Sequence, residues 1–311
     1  MSMFAPLIAA RAPRGLLRFA ADGWSLAYML GATLLFMAQW LLPGIHWPLV
    51  ALACAVAYGM GCVQHDQAHL PMWRSRWCNA ATECWIMLLR GDGVASWLAT
   101  HVDNHHRHAN RRGDLTLTWR SGPGNHLGNL ALYTATGLAL YVLATLRHLV
   151  RTLRRRPARG AFLLGQEALY ALFLGLALAA DAPRALWVIV VPHAFGVVAM
   201  VATGYMQHHH ADEESPWDGA RNFTGRLNNL LHFNHGYHTV HHLDRTLHWS
   251  EWPRAHRLVA ARIDPRLEER SLPWYLLRTF VLAPLVPRLR GADLRALRLA
   301  RPVRLHPRTL T

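Results

Sequence analysis

Four apolar stretches of this 311-residue chain, at about 24–43, 45–64, 162–180 and 185–206, are each long enough to cross a bilayer as a helix. In hydrocarbon every backbone polar group must be satisfied within its own segment, so a helix is the structure open to a single such stretch. Pro43-Gly44 joins the first pair and Ala182-Pro183 the second, which predicts two tight helical hairpins. A hydrophobic fraction of 52% with 16% charged residues is far too apolar for disorder and unlike an ordinary soluble domain. Arg11, Arg14 and Arg18 precede the first stretch, which ends in LLPG and not in a small-residue cleavage site. A retained anchor is expected, not a removed signal.

A fifth apolar stretch, about 127–146, runs into RHLVRTLRRRPARG with its six arginines. The positive-inside rule sets the orientation. With the N-terminal arginines in the cytoplasm, the first hairpin exits and returns, and delivers His65 to the cytoplasmic face. If 127–146 also crossed, the arginines of 147–160 would be forced outside. The sequence therefore predicts an interfacial helix over 127–160 and a second hairpin that delivers His208 to the same face. A further interfacial segment is expected at 271–286, SLPWYLLRTFVLAPLV. The expected architecture is an all-α integral membrane protein, one domain over 1–311, with four spans, interfacial helices and a cytoplasmic helical cap. Both termini fall on the cytoplasmic side.

Histidines crowd into three clusters on that predicted face. His65 and His69 stand in QHDQAH, His101, His105 and His106 in THVDNHHRH, and His238, His241 and His242 in GYHTVHH. His65 and His69 are one turn apart and share a helix face. His101 and His105 repeat that spacing, with His106 about 100° further round. His238 and His241 are three apart, again on one face, with His242 adjacent. Eight imidazoles exceed what one ion can use, so a binuclear site is expected. Imidazole suits iron, zinc, copper and nickel alike, and ligand type does not choose among them.

The order HDxxH, HxxxHH, HxxHH resembles the membrane-bound fatty acid desaturase and hydroxylase superfamily over roughly residues 45–256. The run RNFTGRLNNLLHFNHGYHTVHHLDRTLHWSEWP is similar to bacterial members in particular. The resemblance implies that the boxes hold two iron ions, with one further ligand between boxes two and three. His208 in YMQHHH matches that position, ahead of its neighbours His209 and His210. The second box has three residues between its histidines where many relatives have two, which bears on the phase of His101. The resemblance also implies O2 as co-substrate and two electrons, used to take hydrogen from an unactivated C–H bond. Loss of a second hydrogen gives an alkene, and rebound of hydroxyl gives an alcohol. A hydroxylase, or an acetylenase acting on an existing double bond, with an acyl or other lipid-like substrate, is the alternative at the same site. An electron donor such as a ferredoxin with its reductase, an acyl carrier protein and a bacterial inner-membrane location are further expectations. The substrate expected is a fatty-acyl chain linked to lipid, coenzyme A or a carrier protein.

Metal-bound histidines commonly donate their second N–H to an acceptor. Asp66, Asp103, Asp212 and Asp244 lie beside the boxes and are candidates for that role, as is Asn234 for a supporting hydrogen bond. His193, inside the fourth stretch, reads as a neutral residue packed between helices, and His232, His235 and His248 are unassigned. Cys54, Cys62, Cys78 and Cys84 form no CxxC pair and read as reduced, packed thiols. Every one of the 33 basic residues is arginine, for a net charge of +15. No zinc-finger or RNA-recognition pattern accompanies that charge, so anionic lipid is the expected partner, not nucleic acid. Docking of an acidic donor or carrier on arginines 147–160 and 288–304 is the sharper alternative. A membrane zinc hydrolase competes weakly, because HExxH and HxHxDH are absent. A metal transporter would place its ligands within the spans, not at their ends.

Overall fold

The computed structural model describes Phe4 and residues 15–301. Arg11 and Arg14, on which part of the orientation argument rests, and Arg304 at the end of the tail lie outside the described residues. Helix dominates. The one sheet among the described residues is a two-stranded parallel pair, β1 (Asn222–Phe223) with β2 (Glu268–Glu269).

The helical hairpins form as the sequence predicts, with longer helices. α1 spans Asp22–Leu41 and α2 spans Trp47–His69. α2 is longer than its apolar run, so the first histidine box is its own last turn. The next helix, α3 (Arg76–Arg90), is opened by Ser75 Oγ, which accepts from Cys78 N, and closed by Gly91 in the left-handed region at φ 95°. α4 begins at Val94–Trp97, continues as a π-helical stretch Leu98–His105 and ends at His106–His108. α5 (Leu127–Arg155) and α6 (Pro157–Ala180) follow, then α7 (Ala182–His208). The cap contains α8 (Arg226–Leu231), α9 (His238–Leu243), α10 (Trp252–Val259) and α11 (Leu272–Leu282).

The break between α5 and α6 corrects the expected element 127–160. Proline disfavours helical geometry in the residue before it, and Arg156 ahead of Pro157 leaves the helix at φ −142°, ψ 74°. Residues 157–160 therefore open the next helix. By length and composition five helices among the described residues can cross a membrane, α5 included; its mean hydropathy of 1.4 exceeds the 1.2 of α1. The segment expected at 271–286 is the shorter apolar helix α11.

α2 and α7 form the central pair. Gly196 is what lets them close: a Cβ there would come within 2.9 Å of the Ala57 backbone. Both helices end at the same level, His69 and His208, beneath a cap whose core includes Phe233, Val240, Trp249 and Trp252. His248 Nε2 and Trp249 Nε1 both donate to Asp22 Oδ1, at 3.1 and 3.3 Å, and so fasten the cap to the start of α1. Of the four cysteines Cys62 is buried, but Cys78 is exposed, contrary to expectation.

Candidate metal centre

Local rules place each histidine. The second box contains one residue more than HxxHH, and the π-helical stretch absorbs it. Such stretches are rare and cluster at functional sites. Here it brings His101 and His106, five apart, onto one side, with Nε2 atoms 3.0 Å from each other. Arg221, buried, holds the end of α7: it donates to the carbonyls of Met206 and His209 at 3.0 and 3.1 Å, where the helix exposes its last acceptors. Asn222 of β1 fixes α9. Its Oδ1 accepts from Thr239 N and its Nδ2 donates to Thr239 Oγ1, each at 3.0 Å.

All nine histidines singled out from the sequence converge, in two groups. His65, His69, His101, His106 and His241 form the first; His105, His208, His238 and His242 form the second. Within each, the ligand-capable nitrogens lie within 4.8 Å of one another. The one-turn pairing expected from spacing fails twice. His105 parts from His101, and His241 parts from His238, because each of these boxes supplies both groups. Only His65 and His69 stay together.

The donor set fits metal ions. His65 Nδ1 is 3.1 Å from Asp66 Oδ1, His105 Nδ1 is 2.8 Å from Asp114 Oδ2, and His208 Nδ1 is 2.9 Å from the Gly219 carbonyl. These acceptors put the ring proton on Nδ1 and leave a lone pair on Nε2. In the second group His105 Nε2 and His208 Nε2 then face each other at 3.1 Å, lone pair to lone pair. That arrangement repels unless a cation is shared. In the first group His69 Nε2 is buried with no protein partner among the described residues. Burial first, and neighbouring imidazoles second, hold His101, His238, His241 and His242 well below the ordinary imidazole pKa. They are neutral at physiological pH, the form that ligates.

The supporting acids differ from those expected. Asp66 does turn to a box histidine, and bridges it to His235, whose Nε2 lies 3.0 Å away. Asp103 faces His148 at 3.5 Å on a half-exposed surface instead. Asp212 receives Arg298 Nε at 2.6 Å and anchors the C-terminal segment. Asn234 donates to the Trp249 carbonyl at 3.1 Å from a left-handed backbone, φ 60°. Asp244 accepts from the amide and hydroxyl of Thr246 and closes the turn after the third box. Sequence proximity misled here, because a turn after a box aims its carboxylate at its own backbone as readily as at the site.

Asp114 and His235 went unrecognised. Asp114 is fully buried and accepts from Asn110 N, Thr116 N and Thr116 Oγ1 as well as from His105. Burial alone would raise its pKa, yet the His105 contact and these donors together pull it below the usual carboxylate range. The clue was the DLT run after a glycine: an Asp two residues before a Thr is a turn former with buried donors at hand. His209 stacks on Tyr205, and His210 Nε2 donates to the Pro123 carbonyl at 2.8 Å, so neither replaces His208. His193, near the middle of α7, meets Tyr170 Oη at 2.9 Å and packs beneath Gly91, a core histidine as expected.

Beside both groups lies a cavity of about 110 Å³, with His65, His101, His105, His208 and His238 in one wall. Leu140, Val197, Met200 and Val201 line it as well. The fatty acid desaturase family model matches residues 38–274. This chain belongs to that family. No curated protein matches it. With its five long apolar helices, this desaturase-family chain is a membrane protein whose histidine groups are able to hold metal ions.

Proposed function

We propose that the protein is an O2-dependent oxidoreductase that introduces a double bond into a fatty-acyl chain at a centre of two irons. The observation that carries this reading is the partition of nine imidazoles into two convergent groups along one apolar cavity. His65, His69, His101, His106 and His241 would hold one iron, and His105, His208, His238 and His242 the other. Bound there, the irons supply the means to use O2 and two electrons to remove hydrogen from an unactivated C–H bond.

The chain's own residues do the rest. The Asp114 carboxylate and the Gly219 carbonyl accept the Nδ1 protons of His105 and His208, fix both rings and raise the donor strength of their Nε2 atoms. Asp66 does the same for His65. Apolar side chains of α5 and α7 exclude water and hold the acyl chain in register, so that positioning selects the carbon that reacts. An adjoining cleft of about 280 Å³ shares Leu115 and Leu140 with the cavity and is lined by Arg107, Arg147 and Arg151. It suits the anionic end of a lipid or acyl carrier. A broader cleft has His106 and His242, one from each group, in its wall with Arg107 and Arg245. That supports docking of an acidic donor of ferredoxin type within reach of both irons.

Four spans remain the favoured topology. Tyr133 near the start of α5 donates to the Thr116 carbonyl at 3.2 Å, and His148 near its end pairs with Asp103. One partner lies inside the second histidine box and the other on the loop after it, which supports an α5 that runs along the cytoplasmic face of the inner membrane. The test is a mass comparison of acyl chains from cells expressing the protein and cells expressing His105→Ala with His241→Ala. A loss of two hydrogens that depends on the histidines is expected. A gain of one oxygen would move the assignment to hydroxylation at the same site.

A further inference from the structure

The cavity beside the histidines is not apolar throughout. Arg90, the last residue of α3, and Tyr141 of α5 also stand in its wall. Arg90 is 1% exposed. It donates to Gln64 Oε1 at 2.6 Å and to Asp92. The Tyr141 hydroxyl donates to the same carboxylate, Ser96 Oγ adds a third donor at 2.7 Å, and Gln64 Nε2 donates to the Asp92 carbonyl at 2.8 Å. The Arg90 Nε is buried with no acceptor among the described residues.

The cluster is close to the reacting region. The guanidinium carbon lies 5.5 Å from the centre of the Trp97 ring, and that ring lies 5.2 Å from each of the His65 and His101 rings. One indole separates Arg90 from the first histidine group. Bracing alone does not explain it, since a buried ion pair is commonly no more stabilising than well-packed apolar residues of its volume. An ionised pair buried beside a largely apolar cavity is costly enough to point to function. A wholly hydrocarbon chain drawn past it would offer no acceptor to the unpartnered Arg90 Nε, which is the expensive case for a buried donor.

We propose that the cavity is shaped for a chain bearing an uncharged oxygen, a hydroxyl or carbonyl, at a fixed distance from the reacting carbon. Arg90 is the donor that recognises this oxygen, and Tyr141 shapes the same wall. Asp92 already balances Arg90, so a carboxylate at this point would add an uncompensated charge, whereas a neutral oxygen would not. Arg90 is thus a specificity-determining residue. This placement of the reacting carbon rests on the desaturase reading, while the binding of the oxygen does not.

The test is equilibrium binding to the full-length protein in lipid nanodiscs, without reductant. The probes are radiolabelled methyl hexadecanoate and its monohydroxy positional isomers. One narrow band of hydroxyl positions is expected to bind at least tenfold tighter than the plain ester, the worth of one hydrogen bond to a charged donor. Arg90→Met should erase that preference and keep plain-ester affinity within about threefold. Wild-type protein with no positional preference overturns the proposal, and that arm needs no variant. A preference that survives unchanged in every folded variant of Arg90→Met, Arg90→Lys and Tyr141→Phe overturns it too. Preference without turnover of any chain would refute the desaturase reading and leave this assignment standing. Efficient turnover of plain chains with no preference would do the reverse.

Discussion

The two histidine groups, both able to hold a metal ion, differ in construction. The second has four imidazoles, and two of them are clamped from behind, His105 by fully buried Asp114 and His208 by the Gly219 carbonyl. The first has five, of which His65 leans on Asp66, itself shared with His235, and His69 Nε2 has no protein partner among the described residues. One is a minimal and rigid set. The other is larger and less tightly oriented. Ligand number and orientation are alternative ways to hold an ion, and the contrast implies that the second group tolerates loss of a ligand less well.

The largest effect should come from His105→Ala, which removes one of four ligands together with its clamp. Activity should fall by about a thousandfold or more and bound iron from two to about one per chain, with membrane insertion intact. Retained turnover or full iron content would end the ligand assignment. Next, Asp114→Asn keeps the shape and loses the charge behind His105, and should cost roughly 10- to 100-fold in metal affinity or activity. Iron retention during dialysis against a chelator reads it. The comparison sharpens with His69→Ala against His242→Ala: the five-ligand group should keep more of its metal than the four-ligand group. Equal losses would mean that ligand number confers no tolerance.

A smaller effect concerns pH. His101, His238, His241 and His242 have depressed values in the folded, metal-free protein and ordinary ones near 6.5 when unfolded. Below about 6.5 the unfolded chain binds more protons, so stability falls as pH drops from there toward the depressed values. Thermal unfolding of the chelator-treated protein should show a midpoint that declines below that pH, and a flat profile would contradict neutral imidazoles. Smallest of all, Asp103→Ala should shift the thermal midpoint by the equivalent of no more than about 0.5 kcal/mol, since its exposed carboxylate approaches His148 only at 3.5 Å.

Much of this protein is local information, and local information is legible. Span-length apolar runs, the Pro43-Gly44 turn and histidines clustered at helix ends each follow from the chain's own chemistry, because hydrocarbon forces backbone satisfaction within a segment. The nine convergent histidines were all named from sequence. Their partition was not. A one-residue excess in the second box becomes a π-helical stretch only within its tertiary surroundings, and it sends His101 and His105 to different groups. Likewise Pro157 was visible, but its effect on the end of α5 was underestimated.

What the sequence determined by itself was the membrane class, the helical hairpins and the pool of metal-capable side chains. Only the tertiary structure decided which histidines converge in one group, which carboxylate stands behind which ring, and that Arg90 meets Tyr141 and Asp92 at the cavity wall. The physical reason is range. Hydrophobicity and helix periodicity act over a few residues, whereas His65 meets His241 across 176 positions and Tyr141 meets Asp92 across 49, contacts that exist only once α2, α4, α5 and the cap have packed.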